Sequence, residues 1–595
     1  MLLEEKSKFK IIWFFLKPYK FQAGVLLVLS LLLGGLEAAT VAAVYPILST
    51  ALDAALKESV VLSLFLRVAE LLPIKDEFIT YCTVFLVVAL LAFGVRLLNV
   101  YYRVRFTADI VKHSQDEVFK KVVDADYQYF IDRKQGELLY NITVAPNRLA
   151  GLVTSLTELV SYVILSLFIT LFLFSLSWQG TVLVIFLGLM YHYFTRFLGG
   201  KVSYPAARGE MEAAKESNVI LTEVISGIKE VKVFGSKKNW IIRFAAALIN
   251  RWKYSVKRRV WEQLPSPILV LFLYLSVGVT AVLIKILFPP HFFHLIPISG
   301  TFAFALFKLF PIVGNMGAST MFIAGTLPDC EVVYSILNEQ ITHIQNGEKE
   351  IDSLESDIQF SNVTFAYKDR DKILKGISLS FGKGKTTAIV GRSGSGKSTI
   401  LNLLLRLFEP EQGEIKVNGV DIKEYKLASW LGKVGFVGQD TFTFNDTVRN
   451  NITLHSGNYS EEDVVRTAEC ADAHSFIIKL PKGYDTFIGD RGVKLSGGQR
   501  QKIAVARAMV REPEILIFDE ATNALDSISE AAVQEAIDEV SKNRTVIIVA
   551  HRLPTVVHAD KIVVLGEGEV LEEGTHSELL ARKGAYWGLY RDQSL

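Results

Sequence analysis

Apolar and polar positions are distributed unevenly along this chain of 595 residues. Over its first half, apolar side chains gather into six long runs, near 22–46, 78–103, 153–177, 180–200, 264–287 and 296–327. A helix needs roughly 20 apolar residues to cross the hydrocarbon of a bilayer, so each run predicts a spanning helix. Ahead of the first, Phe9 to Lys17 mixes aromatic and aliphatic residues with lysines and predicts an amphipathic elbow at the membrane interface. Over 331–356 the chain turns polar and breaks at Asn346-Gly347-Glu348-Lys349-Glu350, which predicts a linker. From about 357 short apolar runs alternate with helical patterns, with Gly and Asp at the junctions, the signature of an α/β domain reaching residue 595.

The connections divide by charge. Those around 103–148 and 196–259 are long and rich in Lys and Arg, whereas those at 175–180 and 288–298 are short and carry no charge unless a histidine protonates. The bias of Lys and Arg toward the cytoplasmic side places both long loops, and both termini, inside. Helical periodicity in Glu210 to Lys232 extends the spans into the cytoplasm. The outer connection, about 51–76, contains Val61 to Val68, which reads equally as a short surface helix or as an extension of the first span. No cleaved leader is expected, because Met1 to Lys10 is mixed in charge and the apolar run after it is too long for a signal peptide.

Charged residues inside the spans are costly and therefore informative. Glu37, Arg96, Glu158 and Lys308 are such residues, and Lys308 lies just before Pro311, which predicts a kink. Glu158 is assigned to inter-helix pairing and His192 to a structural role. Glu37, Arg96 and Lys308 are assigned to a polar cavity suited to an anionic headgroup, with pairing of Glu37 to Arg96 as the alternative. Half of all residues are hydrophobic, too many for an ordinary soluble enzyme, and the net charge of +2 gives no field for nucleic acid. Cys82, Cys330 and Cys470 are too far apart for a CxxC site or a disulfide framework.

The second half carries the chemistry. Thr386 to Val390 is a buried-strand run leading into Gly391-Arg392-Ser393-Gly394-Ser395-Gly396-Lys397-Ser398, after which Thr399 to Leu404 begins a helix. Strand, glycine loop and helix in this order form a phosphate cradle, a P-loop. Its backbone N–H groups and helix terminus favour anions. Lys397 reaches the β- and γ-phosphates of ATP, and Ser398 offers a hydroxyl to Mg²⁺. Ile515 to Phe518 is a second buried strand ending in Asp519, placed to hold Mg²⁺, and Glu520, placed as general base toward water. Thr545 to Ala550 likewise delivers His551, which can contact the γ-phosphate.

Tyr367, the glycine loop, Gln439, Leu495-Ser496-Gly497-Gly498-Gln499, Glu520, Asn523-Ala524-Leu525-Asp526 and His551 follow one another in an order that resembles the ABC transporter ATPase. With six preceding spans, the chain resembles an exporter-type ABC half-transporter over nearly its whole length. The expected fold is thus an all-α six-helix transmembrane domain (residues 1–330) followed by an α/β P-loop nucleotide-binding domain. The resemblance implies that Tyr367 stacks on adenine and that Gln439 senses Mg²⁺ and the membrane domain. It implies that Ser496, Gly497, Gly498 and Gln499 close over ATP held by a second copy of the chain, and that Asp526 couples the two sites. Gly489-Asp490-Arg491-Gly492 resembles an exporter-specific loop, with Asp490 where Glu is commoner. Tyr129 to Leu138 and Glu223 to Gly235 resemble the family's two coupling regions.

No ATPase motif is degenerate, so a homodimer with two working sites is expected, its ATP-driven cycle moving cargo outward or between leaflets. Short strings around Glu37, Arg96 and Lys308 resemble bacterial lipid flippases, especially the lipid-linked oligosaccharide flippase, then the lipid A flippase. The cargo so implied is amphipathic, lipid-linked and anionic, in a prokaryotic inner membrane. A multidrug or peptide exporter is the alternative, and a non-transporting ATPase that regulates another membrane protein is the alternative of a different class.

Overall fold

Every apolar run is helical in the computed structural model of the chain, which describes residues 2–51, 67, 73–287, 292–339, 344–489, 492–520, 534–535, 537–550 and 556–594. The six apolar helices are, in order, Lys20–Ala51, Glu77–Val123, Ala145–Leu176, Trp178–Leu198, Pro265–Leu287 and Phe292–Asn338. Asp76 caps the second by accepting from the Ile79 N–H at 3.0 Å, which satisfies one of the donors a helix start leaves open. Among the described residues five helical stretches are long and apolar enough to cross a membrane: Lys8–Ala51, Glu77–Val123, Gln135–Leu176, Trp178–Ser226 and Ser299–Asn338. The fifth apolar helix, Pro265–Leu287, also forms where a span was expected, although many of its side chains lie outside the described residues. So does the outer segment Val61 to Val68, except for Arg67.

Three details go beyond the expectation. The sixth helix includes Pro311 and runs on to Asn338, past the expected linker start at 331. Cys330, Val333 and Ile336 explain the extension, since they repeat at helical spacing and are buried with Val118, Leu149 and Leu152. The N-terminal elbow is a helix, Leu2–Leu16, but Ile11 and Phe15 bury their side chains in that same protein core. The two long loops each enter or leave a span through a π-helical turn, Tyr140–Val144 and Gly199–Ser203. Each turn is followed by a proline, Pro146 or Pro205, at the start of the next helix. A proline has no N–H to give the α-helical ladder, and the turn ahead of it widens so that Ala145 N–H reaches Tyr140 O and Tyr204 N–H reaches Gly199 O. The segments expected to couple, Tyr129 to Leu138 and Glu223 to Gly235, include parts of the short helices Tyr127–Ile131 and Gln135–Leu139 and all of Ile228–Val233.

By its contacts the chain divides into two units, residues 1–125 with 129–341, and residues 342–595 with 126–128. The second unit holds two sheets. The smaller is antiparallel, in the order β2 (Lys372–Phe381), β1 (Ile358–Ala366), β4 (Gln412–Val417), β5 (Val420–Asp421). The larger runs β10 (Glu569–Gly574), β9 (Lys561–Gly566), β3 (Thr386–Gly391), β8 (Thr545–Val549), β7 (Ile515–Asp519), β6 (Val434–Val437). All its pairings are parallel except β9 with β10. Both faces of a parallel sheet are covered, so its strands are apolar without alternation. In β7, Ile515 and Ile517 enter one core with Trp430 and Leu404, while Leu516 and Phe518 enter another with Val448 and Ile503. Strand β3 lies centrally, between β9 and β8, and delivers the glycine loop at its C-terminal end.

Candidate functional site

The glycine loop leaves β3 at Gly391 and ends at Gly396, the N-cap of helix Lys397–Leu404. Gly394 and Gly396 have φ of +85° and +103°, a region a side chain rarely adopts. A Cβ on Gly396 would also lie 2.6 Å from Leu374 Cδ2. Inside the loop the Lys397 ammonium donates to the carbonyls of Gly391 (2.9 Å) and Arg392 (3.1 Å). Burial holds Lys397 below the usual lysine pKa, opposed by the charges of Glu520 and Asp519. The buried Ser395 hydroxyl oxygen has no partner among the described residues. A buried polar atom without a partner is costly, and this one fits a cradle for phosphate oxygens.

Asp519 closes β7, and Glu520 follows it at φ +49°, a left-handed conformation that is uncommon for glutamate and concentrates at functional sites. The Glu520 N–H continues the ladder by donating to Val549 O at 3.0 Å. Its carboxylate accepts from Gln439 Nε2 at 2.7 Å. The structure thus brings Gln439 and Glu520 into one bond, with Lys397 within electrostatic reach of both Glu520 and Asp519. The Ser398 hydroxyl, the Gln439 carbonyl and the Asp519 carboxylate are hard oxygen donors, the chemistry Mg²⁺ takes. No cluster of three His, Cys, Asp or Glu able to hold a metal occurs among the described residues. Mg²⁺ ordinarily fits such a sparse donor set, because nucleotide phosphates complete its shell.

Tyr367 lies half-buried, edge-on to Phe365 and Phe408 at ring distances of 5.0 and 5.1 Å, with its hydroxyl 3.4 Å from Thr399 Oγ1. Ser496 caps helix Gly497–Met509 through a capping box with Gln499: its Oγ accepts from the Gln499 N–H at 3.3 Å and its N–H donates to Gln499 Oε1 at 3.0 Å. That helix buries its face in the core of Val448 and Val464, away from the core that holds the glycine loop's own helix. His551, Asp526, Asp490 and Arg491 lie outside the described residues.

In the membrane unit the three cavity residues meet one another. Lys308 Nζ donates to Glu37 Oε2 at 2.8 Å and to Thr40 Oγ1 at 2.6 Å, and the Arg96 guanidinium pairs with Glu37 Oε1. Two cations therefore share one acid, which is the pairing alternative extended to a second base. The reason is local: Glu37 is nearly enclosed and repays its burial only by taking both partners, whereas 56% of the Arg96 side chain stays exposed. Glu158 pairs with Arg103 at 2.9 Å, as assigned.

A second charge cluster was not visible from motifs. Arg258 Nε binds Glu210 Oε2 at 2.8 Å and its Nη1 reaches Glu262 Oε1 at 3.4 Å, while Arg148 reaches Glu210 at 3.4 Å and Asp329 at 3.9 Å. Tyr140 donates to Asp329 at 2.5 Å. Glu210, Arg258, Glu262 and Asp329 are all buried. Only the i,i+4 spacing of Arg258 and Glu262 hinted at it.

A helical membrane unit joined to a P-loop unit with a serine-capped Gly-Gly helix defines a membrane transport ATPase. The chain matches the family described as "ABC transporter transmembrane region" over residues 24–284 and that described as "ABC transporter" over residues 374–523. It is 36% identical to an ATP-dependent lipid A-core flippase of Photorhabdus laumondii, over 81% of this chain and 83% of that one. It is 34% identical to the heterocyst differentiation ATP-binding protein HepA of Nostoc sp., over 80% and 78%. A bacterial Atm1-family ABC exporter solved with ATP bound superposes with a TM-score of 0.80 at 25% identity, covering 96% of this chain and 98% of the other. The chain belongs to the ABC transporter family, as an exporter half-transporter. It binds ATP, and its ATP hydrolysis is coupled to transport.

Proposed function

We propose that two copies of this chain form an exporter that moves an amphipathic, anionic, lipid-linked molecule outward, or from the inner to the outer leaflet of a prokaryotic inner membrane. All six apolar helices span, and both termini are cytoplasmic. The observation that carries the cargo class is the Glu37, Arg96 and Lys308 cluster: two cations against one acid leave one positive charge among apolar helices, with the Arg96 guanidinium accessible. A phosphate or pyrophosphate headgroup supplies the missing anion. The relatives named as lipid A-core flippases support a lipid cargo.

ATP lies along the loop Gly391 to Ser398, with Thr399 beside it, its base against Tyr367. Lys397 leaves its loop carbonyls to neutralise charge on the β- and γ-phosphates. Ser398, Gln439 and Asp519 would hold Mg²⁺, which supplies further charge neutralisation there. Glu520 accepts a proton from the water that attacks the γ-phosphorus while the bond to the ADP oxygen breaks, and Gln439 holds its carboxylate in place. Ser496, Gly497, Gly498 and Gln499 of the second copy cap the γ-phosphate, and His551 and Asp526 orient the water and couple the sites. ATP binding favours the closed dimer and hydrolysis releases it, which is a two-state cycle driven by differential affinity.

Proteoliposomes containing a fluorescent lipid-linked sugar test the cargo. ATP-dependent loss of label from the loaded leaflet is expected. No movement of that lipid, alongside ATP-dependent transport of an uncharged dye, would replace this cargo class with that of a drug exporter.

A further inference from the structure

A cavity of about 480 Å³ opens among the third, fourth, fifth and sixth apolar helices, in the size range of small-ligand sites. Val163, Leu269, Phe310 and Met316 are among its lining, with Gly188 and His192 on the fourth helix. None of Glu37, Arg96 and Lys308 lines it, and neither does any other charged side chain. Its polar groups are Ser166, Thr170 and His192, of which Ser166 already donates its hydroxyl to Val163 O at 2.9 Å. His192 does not follow suit: its Nδ1 is buried with no partner among the described residues. Gly188 leaves the cavity wall open, since a Cβ there would meet no atom within 4 Å.

These features specify a ligand. The apolar lining requires a hydrocarbon body, and the lack of charged partners excludes an ion. The unpartnered ring nitrogen requires one hydrogen-bonding group. A hydroxyl both donates and accepts, so it satisfies either tautomer of His192, whereas a carbonyl satisfies only one. We propose that this cavity binds an uncharged, hydroxyl-bearing lipid of single-tail size drawn from the bilayer, at a site separate from the basic cluster.

The test uses the full-length protein in liposomes and a diazirine-bearing long-chain alcohol as photoprobe. Crosslinks are expected on the segments 159–170, 184–192 and 309–316, competed by unlabelled hexadecanol and much less by hexadecane. Gly188→Leu fills the cavity and should cut labelling of these segments at least tenfold without lowering the melting temperature. His192→Phe should keep labelling but erase the preference for the alcohol over the alkane. Lys308→Ala should leave labelling unchanged, so this site and the cargo reading fail or stand separately. Labelling undiminished in Gly188→Leu, or crosslinks spread evenly over all six apolar helices, would overturn the proposal. Equal competition by hexadecane would overturn the role of His192.

Discussion

Glu520 combines three properties that seldom coincide: it directly follows a buried strand, sits at positive φ, and has its carboxylate held by Gln439. The strain is tolerated because the β7–β8 ladder fixes the backbone on one side and Gln439 fixes the side chain on the other. Glu520→Gln keeps this geometry and removes the base. ATP turnover, measured by phosphate release, should fall on the order of 10²- to 10⁴-fold, with nucleotide retained on the protein. Near-normal rates would move the base elsewhere. Within the membrane, Glu37 is the residue on which two cations depend. Glu37→Gln removes the carboxylate both cations share, leaving Lys308 its bond to Thr40 and Arg96 its exposed face, and should show as a lowered melting temperature. Arg96→Ala is the milder change, because the Glu37–Lys308 pair survives it. Its ratio of cargo-stimulated to basal ATPase should drop toward one, and an unchanged ratio would detach Arg96 from the cargo.

At the scale of elements, helix Lys237–Gln263 is fastened to its neighbours by buried charge. Burial pushes Glu262, next to the fifth apolar helix, up to about 7 from the ordinary 4.5, against the attraction of Arg258 and with the added repulsion of Glu210. Three carboxyls face two arginines in this cluster, and Gly325 leaves no spare room, since a Cβ on it would lie 2.4 Å from Glu262 Oε1. A carboxyl whose pKa is raised in the folded state binds its proton more tightly there than when unfolded. Its stabilising contribution is complete below about pH 4.5 and fades as pH rises through about 7. The melting temperature should therefore decline from pH 5 to pH 8. Glu262→Gln should flatten that decline and raise the value at pH 8. A mutant profile parallel to the wild type would show that Glu262 does not titrate in this window. The fold's elements were readily legible, because apolar runs and the strand–glycine–helix sequence are local patterns. The end of the sixth helix was not. Glu331 made 331–338 look polar, yet the apolar stripe of Cys330, Val333 and Ile336 carries the helix on, and Glu331 accepts from Tyr204 at 2.9 Å.

For the whole molecule, the loop that cradles phosphate and the serine-capped helix belong to separate cores of one chain. A site shared between two copies predicts complementation. Lys397→Ala disables one half of the site and Ser496→Arg the other, and each homodimer should be inactive. Co-purified mixtures of the two should recover partial ATPase activity, since the heterodimer rebuilds one intact pair. Absence of recovery in a verified heterodimer would mean that each chain acts alone.

The order of residues along the chain was enough for the six apolar helices, the glycine loop and the carboxylates at the end of β7. Each of these is written within a few neighbouring positions, where backbone propensity and hydrophobic spacing act directly. Only the tertiary structure decided which charges meet. Glu37 finds Arg96 and Lys308, 59 and 271 residues away, and Gln439 finds Glu520 across 81. The same packing buried Glu210, Arg258, Glu262 and Asp329 together and left His192 facing a cavity. Helix packing chooses such partners, because a buried charge is stable only beside the opposite charges that folding brings within reach.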